Sequence, residues 1–477
     1  MDREVLKQVL ADQQEYTPPK NFFIRTLTDT IKRFVDDPSI IIISGIRRSG
    51  KSTIQRSLQL AHISHTCSRK IATVEPQIGC QDSEDSVQAT RPHYPDSQDK
   101  VPECANFPKK CEKCGLELAK SDYFLNFDDE RLVRFKVEDF QMLLEVLIEL
   151  FGEQSTFYFD EIQNIEGWER FVRRLYEQGK KIYITGSNAK LLSKELGTHL
   201  TGRYIQFEVY PLSFKEIIDH KLPDVLSKKA LSTSDTGMIL HHFSNYLKNG
   251  GIPDYVKYEK SEYLRDLFEG ILYRDIITRY KINDEKPLRE LVYYLASNIG
   301  KEFSYTKLSK IIGLSSPHTI VNYCNYLEQC YLCFFVNRYS HSLKKQIQYN
   351  KKCYMIDPAL IRITGFRISE DRGRLLENIV FLHLRMLGKE VYFHKDQKEC
   401  DFIIREGNQI IEAIQVTTHL LDEEVKKREI NGLIEAMIAY NLSEGLILTE
   451  NEQKTLKVDN FQIRVIPIWK WLLSLSQ

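Results

Sequence analysis

The apolar positions of this chain change their spacing along its length, and the change divides it. In the amino-terminal part they come as short continuous runs, Ile40-Ile41-Ile42-Ile43, Tyr123-Phe124-Leu125-Asn126-Phe127, Phe157-Tyr158-Phe159 and Ile182-Tyr183-Ile184. Runs that are apolar on both faces predict buried strands of a parallel sheet, with helical stretches such as Lys51 to Leu60 between them. From about Leu231 helical periodicity takes over, as in Tyr263-Leu264-Arg265-Asp266-Leu267-Phe268 and Leu288-Arg289-Glu290-Leu291-Val292. Residues 305–323 then predict helix, tight turn at Gly313 and second helix, followed by a β-hairpin between Tyr331 and Ile356. The last part predicts an amphipathic helix from Arg374 and strands at Val391-Tyr392-Phe393, at 399–404 and at 410–417. The pattern therefore predicts an α/β protein in three units: a parallel-sheet unit over residues 1–230, a helical unit over 231–365 and a further α/β unit over 366–477.

Chemistry enters where the isoleucine run ends. Gly45-Ile46-Arg47-Arg48-Ser49-Gly50-Lys51-Ser52 fits the spacing G-x-x-x-x-G-K-[ST]. Glycines at both ends let successive backbone N–H groups turn inward as an anion cradle, and the head of the following helix adds partial positive charge. The loop residues from Gly45 to Ser52, with Thr53, are expected to contact a nucleoside triphosphate, Lys51 reaching its outer phosphates and Ser52 ligating Mg²⁺. Asp160 and Glu161 end a second apolar run; Asp160 is expected to hold Mg²⁺ and Glu161 to orient and deprotonate the attacking water. The bland reading of such an acidic pair is the start of a loop. A third run ends in Gly186-Ser187-Asn188, small polar groups placed to sense a terminal phosphate. Arg203 is a candidate to stabilise the transition state, in cis or from a neighbouring subunit, the latter implying a homo-oligomer; it also reads as a surface arginine closing a helix.

These strings, with Ile162-Gln163-Asn164, Trp168-Glu169, Ala189-Lys190-Leu191-Leu192, Leu200-Thr201-Gly202-Arg203 and Tyr210-Pro211-Leu212-Ser213-Phe214, resemble prokaryotic AAA-type ATPases related to the STAND branch. Members carry a carboxyl-terminal domain of unknown function, whose opening Gly250-Gly251-Ile252-Pro253-Asp254-Tyr255 resembles, and the likeness runs from about Phe22 to about Thr417. It implies ATP as the nucleotide, Mg²⁺ as its ion and a P-loop NTPase fold.

Composition narrows the setting. The 477 residues and 42% hydrophobic content allow two to four packed domains. Lys+Arg and Asp+Glu balance at 66 each, so attraction to nucleic acid or a membrane surface needs a local patch. The longest apolar runs fall short of a bilayer span and the amino end lacks a signal-peptide core, so the expected location is the cytoplasm. Ten cysteines are then expected to be reduced, with Cys324, Cys330 and Cys333 as core residues. Residues 66–120 read as an insertion rich in Ser, Pro, Asp and Gln. In it Cys111 and Cys114 have knuckle spacing, and with Cys104, and Cys80 or His93, they form a candidate Zn²⁺ set; a flexible loop with free thiols is the other reading.

The predicted helix pair and hairpin form a winged-helix pattern, with Arg338, Lys344, Lys345, Lys351 and Lys352 on the wing and His318, Thr319 and Asn322 on the second helix. Duplex DNA and a protein partner are both open as its ligand. The last unit resembles the core of PD-(D/E)xK nucleases (the restriction-endonuclease-like fold), Glu377 and Asp401 matching acidic positions. Gln415 and Thr417 stand where a carboxylate and a lysine belong, and Glu412 falls on the opposite strand face. An inactive, nuclease-like platform is therefore expected. Rival functions are a GTP switch, disfavoured because no Asn-Lys-x-Asp motif follows the third strand, an active metal-dependent nuclease, and a DNA-binding regulator that does not hydrolyse ATP.

Overall fold

The computed structural model describes residues 1–14, 23–61, 122–188, 200–365 and 372–474. The insertion at 66–120 and its cysteine set, Cys80, His93, Cys104, Cys111 and Cys114, lie outside the described residues. Five strands, β1 (Ile40–Gly45), β2 (Asp122–Asn126), β3 (Thr156–Asp160), β4 (Lys181–Gly186) and β5 (Tyr204–Val209), form one sheet in the order β2-β3-β4-β1-β5. Every pairing is parallel, as the continuous apolar runs predict. Alternate side chains pass to opposite faces. Ile40, Ile42, Phe157, Phe159, Ile182 and Ile184 pack on one side, and Ile41, Ile43, Tyr158 and Tyr183 on the other. All five strands end on the same edge, and that edge carries the site.

The middle unit is helical: Thr233–Asn249, Pro253–Tyr258, Ser261–Gly270 and Lys286–Ser297 are α-helices, with a π-helical turn over Ile271–Thr278. Helices Tyr305–Ile312 and Pro317–Gln329 follow, and the antiparallel strands β6 (Glu302–Phe303), β7 (Cys333–Asn337) and β8 (Lys351–Met355) pair in the order β6-β8-β7. A short helix, Leu343–Gln348, stands between β7 and β8. The carboxyl-terminal unit is a mixed six-stranded sheet. Its strands β9 (Glu390–Lys395), β10 (Glu399–Glu406), β11 (Gln409–Val416), β12 (Glu444–Thr449), β13 (Lys454–Val458) and β14 (Phe461–Pro467) run in the order β13-β14-β12-β11-β10-β9. One apolar core runs unbroken from Phe23 and Ile46 through the middle helices to Phe402, Leu446 and Trp471. Cys324, Cys330 and Cys333 are buried in it as free thiols. No described helix is long and apolar enough to cross a membrane.

The hairpin departs from the pattern read in the sequence. Lys352, counted among the wing's cations, is 1% exposed, with Nζ 2.8 Å from Glu399 Oε1, 3.1 Å from Glu377 Oε1 and 3.4 Å from Asp401 Oδ1. Lys351 is half-buried and bonds to Asn337, and the Arg338 guanidinium lies 4.3 Å from the centre of the Tyr349 ring. The end of β7 is tied to the carboxyl-terminal sheet, Tyr339 N donating to Phe393 O at 3.0 Å. Of the five cations, only Lys344 and Lys345 are fully exposed. Period-2 alternation places Lys351 and Lys352 on opposite faces of β8, so one of them had to turn inward.

Lys352 also occupies the carboxylate cluster of the nuclease-like reading. Burial opposes its charge, but Glu377, Tyr354, Asp401 and Glu399 outweigh that and raise its pKa. Asp401 moves upward, chiefly through burial and then through Glu377. Gln415 Nε2 donates to the buried carboxylate of Glu429, a residue that the sequence pattern did not single out, and Gln415 Oε1 accepts from Asp401 N. Among the described residues no group of three or more His, Cys, Asp or Glu is arranged to hold a metal ion. An ammonium fills the space between the acids. Lys352→Ala strands these buried carboxylates and should lower unfolding stability by about 3–5 kcal/mol. Chemical denaturation measures this, and a loss below about 1 kcal/mol would contradict the role.

Candidate functional site

The site forms where β1 meets the helix over 51–61. Backbone sterics dictate the glycines: Gly50 adopts φ +95°, and a Cβ on Gly45 would stand 2.2 Å from Val209 O. Arg48, at φ 61°, is the non-glycine residue that takes the left-handed turn between them. The loop is braced from outside. Buried Arg25 donates from Nη1 to Ser49 O (2.7 Å), from Nη2 to Tyr210 O (2.8 Å) and from Nε to Glu216 Oε1 (3.0 Å). Gln55 Nε2 donates to Phe159 O and Tyr183 O, each at 3.1 Å, pinning the helix to β3 and β4.

Lys51 is 4% exposed; its Nζ donates to Ile46 O at 3.1 Å and lies 3.7 Å from Glu161 Oε1. Ser52 Oγ donates to Asp160 Oδ1 at 3.1 Å. Strand β3 is not the immediate neighbour of β1, because β4 lies between them. Its Thr185 bridges the gap: Thr185 Oγ1 donates to Asp160 Oδ1 and accepts from Glu161 N. The two carboxylates behave differently. Asp160 is pushed up to about 6, first by burial and then by Glu161. At Glu161 burial is outweighed by Lys51, the Gln163 amide, Arg47 and Arg279, so its pKa falls and it stays ionised. A hydroxyl beside a carboxylate is an oxygen donor set that would suit Mg²⁺.

The other nominated residues divide. Ser187 is buried, and its Oγ, like Ser49 Oγ, has no partner among the described residues, while Asn188 Nδ2 donates to Tyr280 Oη at 3.3 Å. Ile46 is buried in the shared core, Thr53 is half-buried and Arg48 is exposed, its Nη1 3.7 Å from Asp254. Arg203 is placed elsewhere. It precedes β5, its carbonyl accepts from Ile40 N at 2.9 Å, and Nη1 lies 3.3 Å from Glu177, all at the edge opposite the loop. At about 3.3 Å per residue, the length of β1 separates it from the loop by roughly 16 Å or more.

Sequence reading missed what the middle unit contributes. Arg47 binds Asp275 through two hydrogen bonds, Nε to Oδ2 and Nη2 to Oδ1, each 3.1 Å, and Asp275 is 2% exposed. Tyr331 Oη lies 2.7 Å from Ser44 Oγ at the end of β1. Arg279 Nη1 is buried with no partner among the described residues. The available signal was Asp275 and Arg279, two charges four residues apart in Ile271-Leu272-Tyr273-Arg274-Asp275-Ile276-Ile277-Thr278-Arg279, a stretch that also carries Arg274.

A parallel sheet with this loop and acidic pair on its carboxyl edge is a nucleotide-binding, P-loop ATPase-like fold. Residues 112–218 match the family model of an AAA domain. Residues 240–369 match a domain of unknown function (DUF8612). Two uncharacterized proteins are similar over most of their length. MJ1544 of Methanocaldococcus jannaschii is 35% identical over 375 residues, 74% of this chain and 83% of that protein. One from Haemophilus influenzae is 32% identical over 361 residues, 74% of this chain and 86% of that protein. The chain belongs to their family, and in this chain the match to the AAA domain is followed by the match to the domain of unknown function.

The Arg47–Asp275 pair joins the two domains through the loop itself. A double-mutant cycle of Arg47→Ala and Asp275→Ala, read by chemical denaturation, should give a coupling of about 1–3 kcal/mol. Additivity of the two substitutions would show that the pair contributes nothing.

Proposed function

We propose that this protein binds ATP with Mg²⁺ and hydrolyses it, using the nucleotide as a switch that acts on the units attached to the sheet. One observation carries this reading: Lys51, Ser52, Asp160 and Glu161 meet at one sheet edge, which also holds buried hydroxyls of Ser49 and Ser187 that have no partner among the described residues. Buried polar groups are nearly always satisfied, and phosphate oxygens are the acceptors this set fits.

In this reading the loop amides and Lys51 hold the outer phosphates and offset the charge that builds on them. Ser52 and Asp160 would hold Mg²⁺, which supplies further charge neutralisation when bound. Glu161, kept ionised by its cationic neighbours, orients a water and takes its proton as that water attacks the terminal phosphorus in line. Gln163 Nε2, 2.5 Å from Glu161 Oε2, fixes the orientation of that base.

For the helix pair and three-stranded sheet we favour a winged-helix-like unit that serves as a packing or protein-interaction element. With Lys352 buried and β7 tied to β9, Lys344 and Lys345 leave a small cationic surface for duplex DNA. For the last unit the inactive nuclease-like reading is retained, since Lys352 lies among the acids that a metal would need.

Equilibrium titration with labelled ATP and Mg²⁺, together with phosphate release, tests the main reading. Lys51→Ala is expected to abolish saturable binding, whereas Glu161→Gln is expected to keep binding and lower turnover by about 10²–10⁴-fold. Wild-type turnover in both variants, or no saturable binding by the wild-type protein, would overturn it.

A further inference from the structure

Phosphoryl transfer is accelerated by a guanidinium at the terminal phosphate, and the arginine nominated from sequence, Arg203, lies at the wrong edge of the sheet to act within one copy. We propose that Arg279, at the end of the middle unit's π-helical turn, contacts the terminal phosphate of ATP and stabilises the charge that develops there. This rests on the ATP reading and adds to it a catalytic residue from the second domain.

Two observations support this assignment. The first is its unmet bonding: Nη1 is shielded from solvent and has no acceptor among the described residues. A guanidinium keeps its charge and its five donors in every environment, so a dry, unpaired N–H is costly unless an acceptor arrives. Ser49 Oγ and Ser187 Oγ, on the loops after β1 and β4, are buried and unpartnered in the same way. A phosphoryl group has enough oxygens to satisfy all three.

The second is tethering on both sides. Four residues before Arg279, about one helical turn, Asp275 grips Arg47 of the phosphate loop through two bonds of 3.1 Å. One residue after it, Tyr280 Oη accepts from Asn188 Nδ2, just beyond β4, at 3.3 Å. The Tyr280 ring is itself stacked on Tyr326 with centroids 3.8 Å apart, so this segment is held from behind. Arg279 thus lies in a segment anchored to the loops that follow β1 and β4.

A cation at that position compensates charge on the terminal phosphate and on the base as the water attacks. No bond is made or broken at Arg279; the proton leaves the attacking water for Glu161, and the β–γ anhydride breaks to release ADP. Because Arg279 belongs to the segment that clamps Arg47, loss of the terminal phosphate also removes a contact between the two domains.

The test uses the full-length protein with Arg279→Ala and Arg279→Lys, and Arg265→Ala as a control on an exposed helix position. Binding of ATP and of ADP, each with Mg²⁺, is measured by equilibrium titration, and kcat and KM by phosphate release. The expected results for Arg279→Ala are ADP affinity within about threefold of wild type, an ATP-to-ADP affinity ratio reduced by about tenfold or more, and kcat lowered by about 10³-fold. Arg279→Lys retains charge without the planar fork and should fall between, while the control leaves kcat unchanged; thermal unfolding confirms that each variant is folded. Wild-type kcat and an unchanged affinity ratio in folded Arg279→Ala or Arg279→Lys would overturn this assignment and leave the ATPase reading standing. Failure of the wild-type protein to bind ATP would remove both, and is seen before any variant is made.

Discussion

A phosphate cradle is a ring of inward-facing amides with a lysine at its centre, and its own residues do little to hold it open. Here the brace is a pair of guanidinium clamps. Arg25 spends all three of its nitrogens on Ser49 O, Tyr210 O and Glu216, joining the loop to the end of β5 and to the head of the next helix. Arg47 points the other way, into Asp275. Bonds to charged groups contribute about 1.5–3 kcal/mol each, more than neutral ones, and both clamps lie away from open water. The loop is thus tied to the end of β5 on one side and to the π-helical turn on the other.

Those ties make the site a junction. Tyr331 meets Ser44 at the end of β1, Tyr280 meets Asn188 beyond β4, and Asp275 meets Arg47. All three partners come from the helical unit, whose core continues without a break into one face of the carboxyl-terminal sheet. Lys352 adds a polar lock to this apolar continuity, joining β8 to Glu377 and Asp401. A rearrangement at the phosphate loop therefore meets a packed body and not a tethered one. Packed interfaces of this kind shift between discrete arrangements and do not deform gradually.

The carboxyl-terminal unit shows how a resemblance in element order can part from chemistry. Helix and strands bring Glu377 and Asp401 to one place, and the cation between them is the chain's own lysine. An ammonium neutralises neighbouring acids and donates to them, yet it offers no open coordination position at which water can be activated. Gln415, in place of a carboxylate, answers Glu429 and the Asp401 amide instead.

Local sequence determined the parts that obey short-range rules. Four isoleucines followed by two spaced glycines and a lysine specify a strand, a turn and a helix head wherever they stand, because strand burial and left-handed backbone at Gly50 are properties of a few consecutive residues. The acidic pair at the end of β3 was legible for the same reason. Tertiary structure alone decided which charges meet. Nothing local distinguishes Lys352, turned inward onto three carboxylates, from Lys344, left in water, and nothing near Arg203 announces that it sits at the far edge of the sheet. Asp275 and Arg279 lie more than two hundred residues from the loop that they approach. Which ions pair depends on where strands register and helices pack, and only the folded chain brings those distances down to a hydrogen bond.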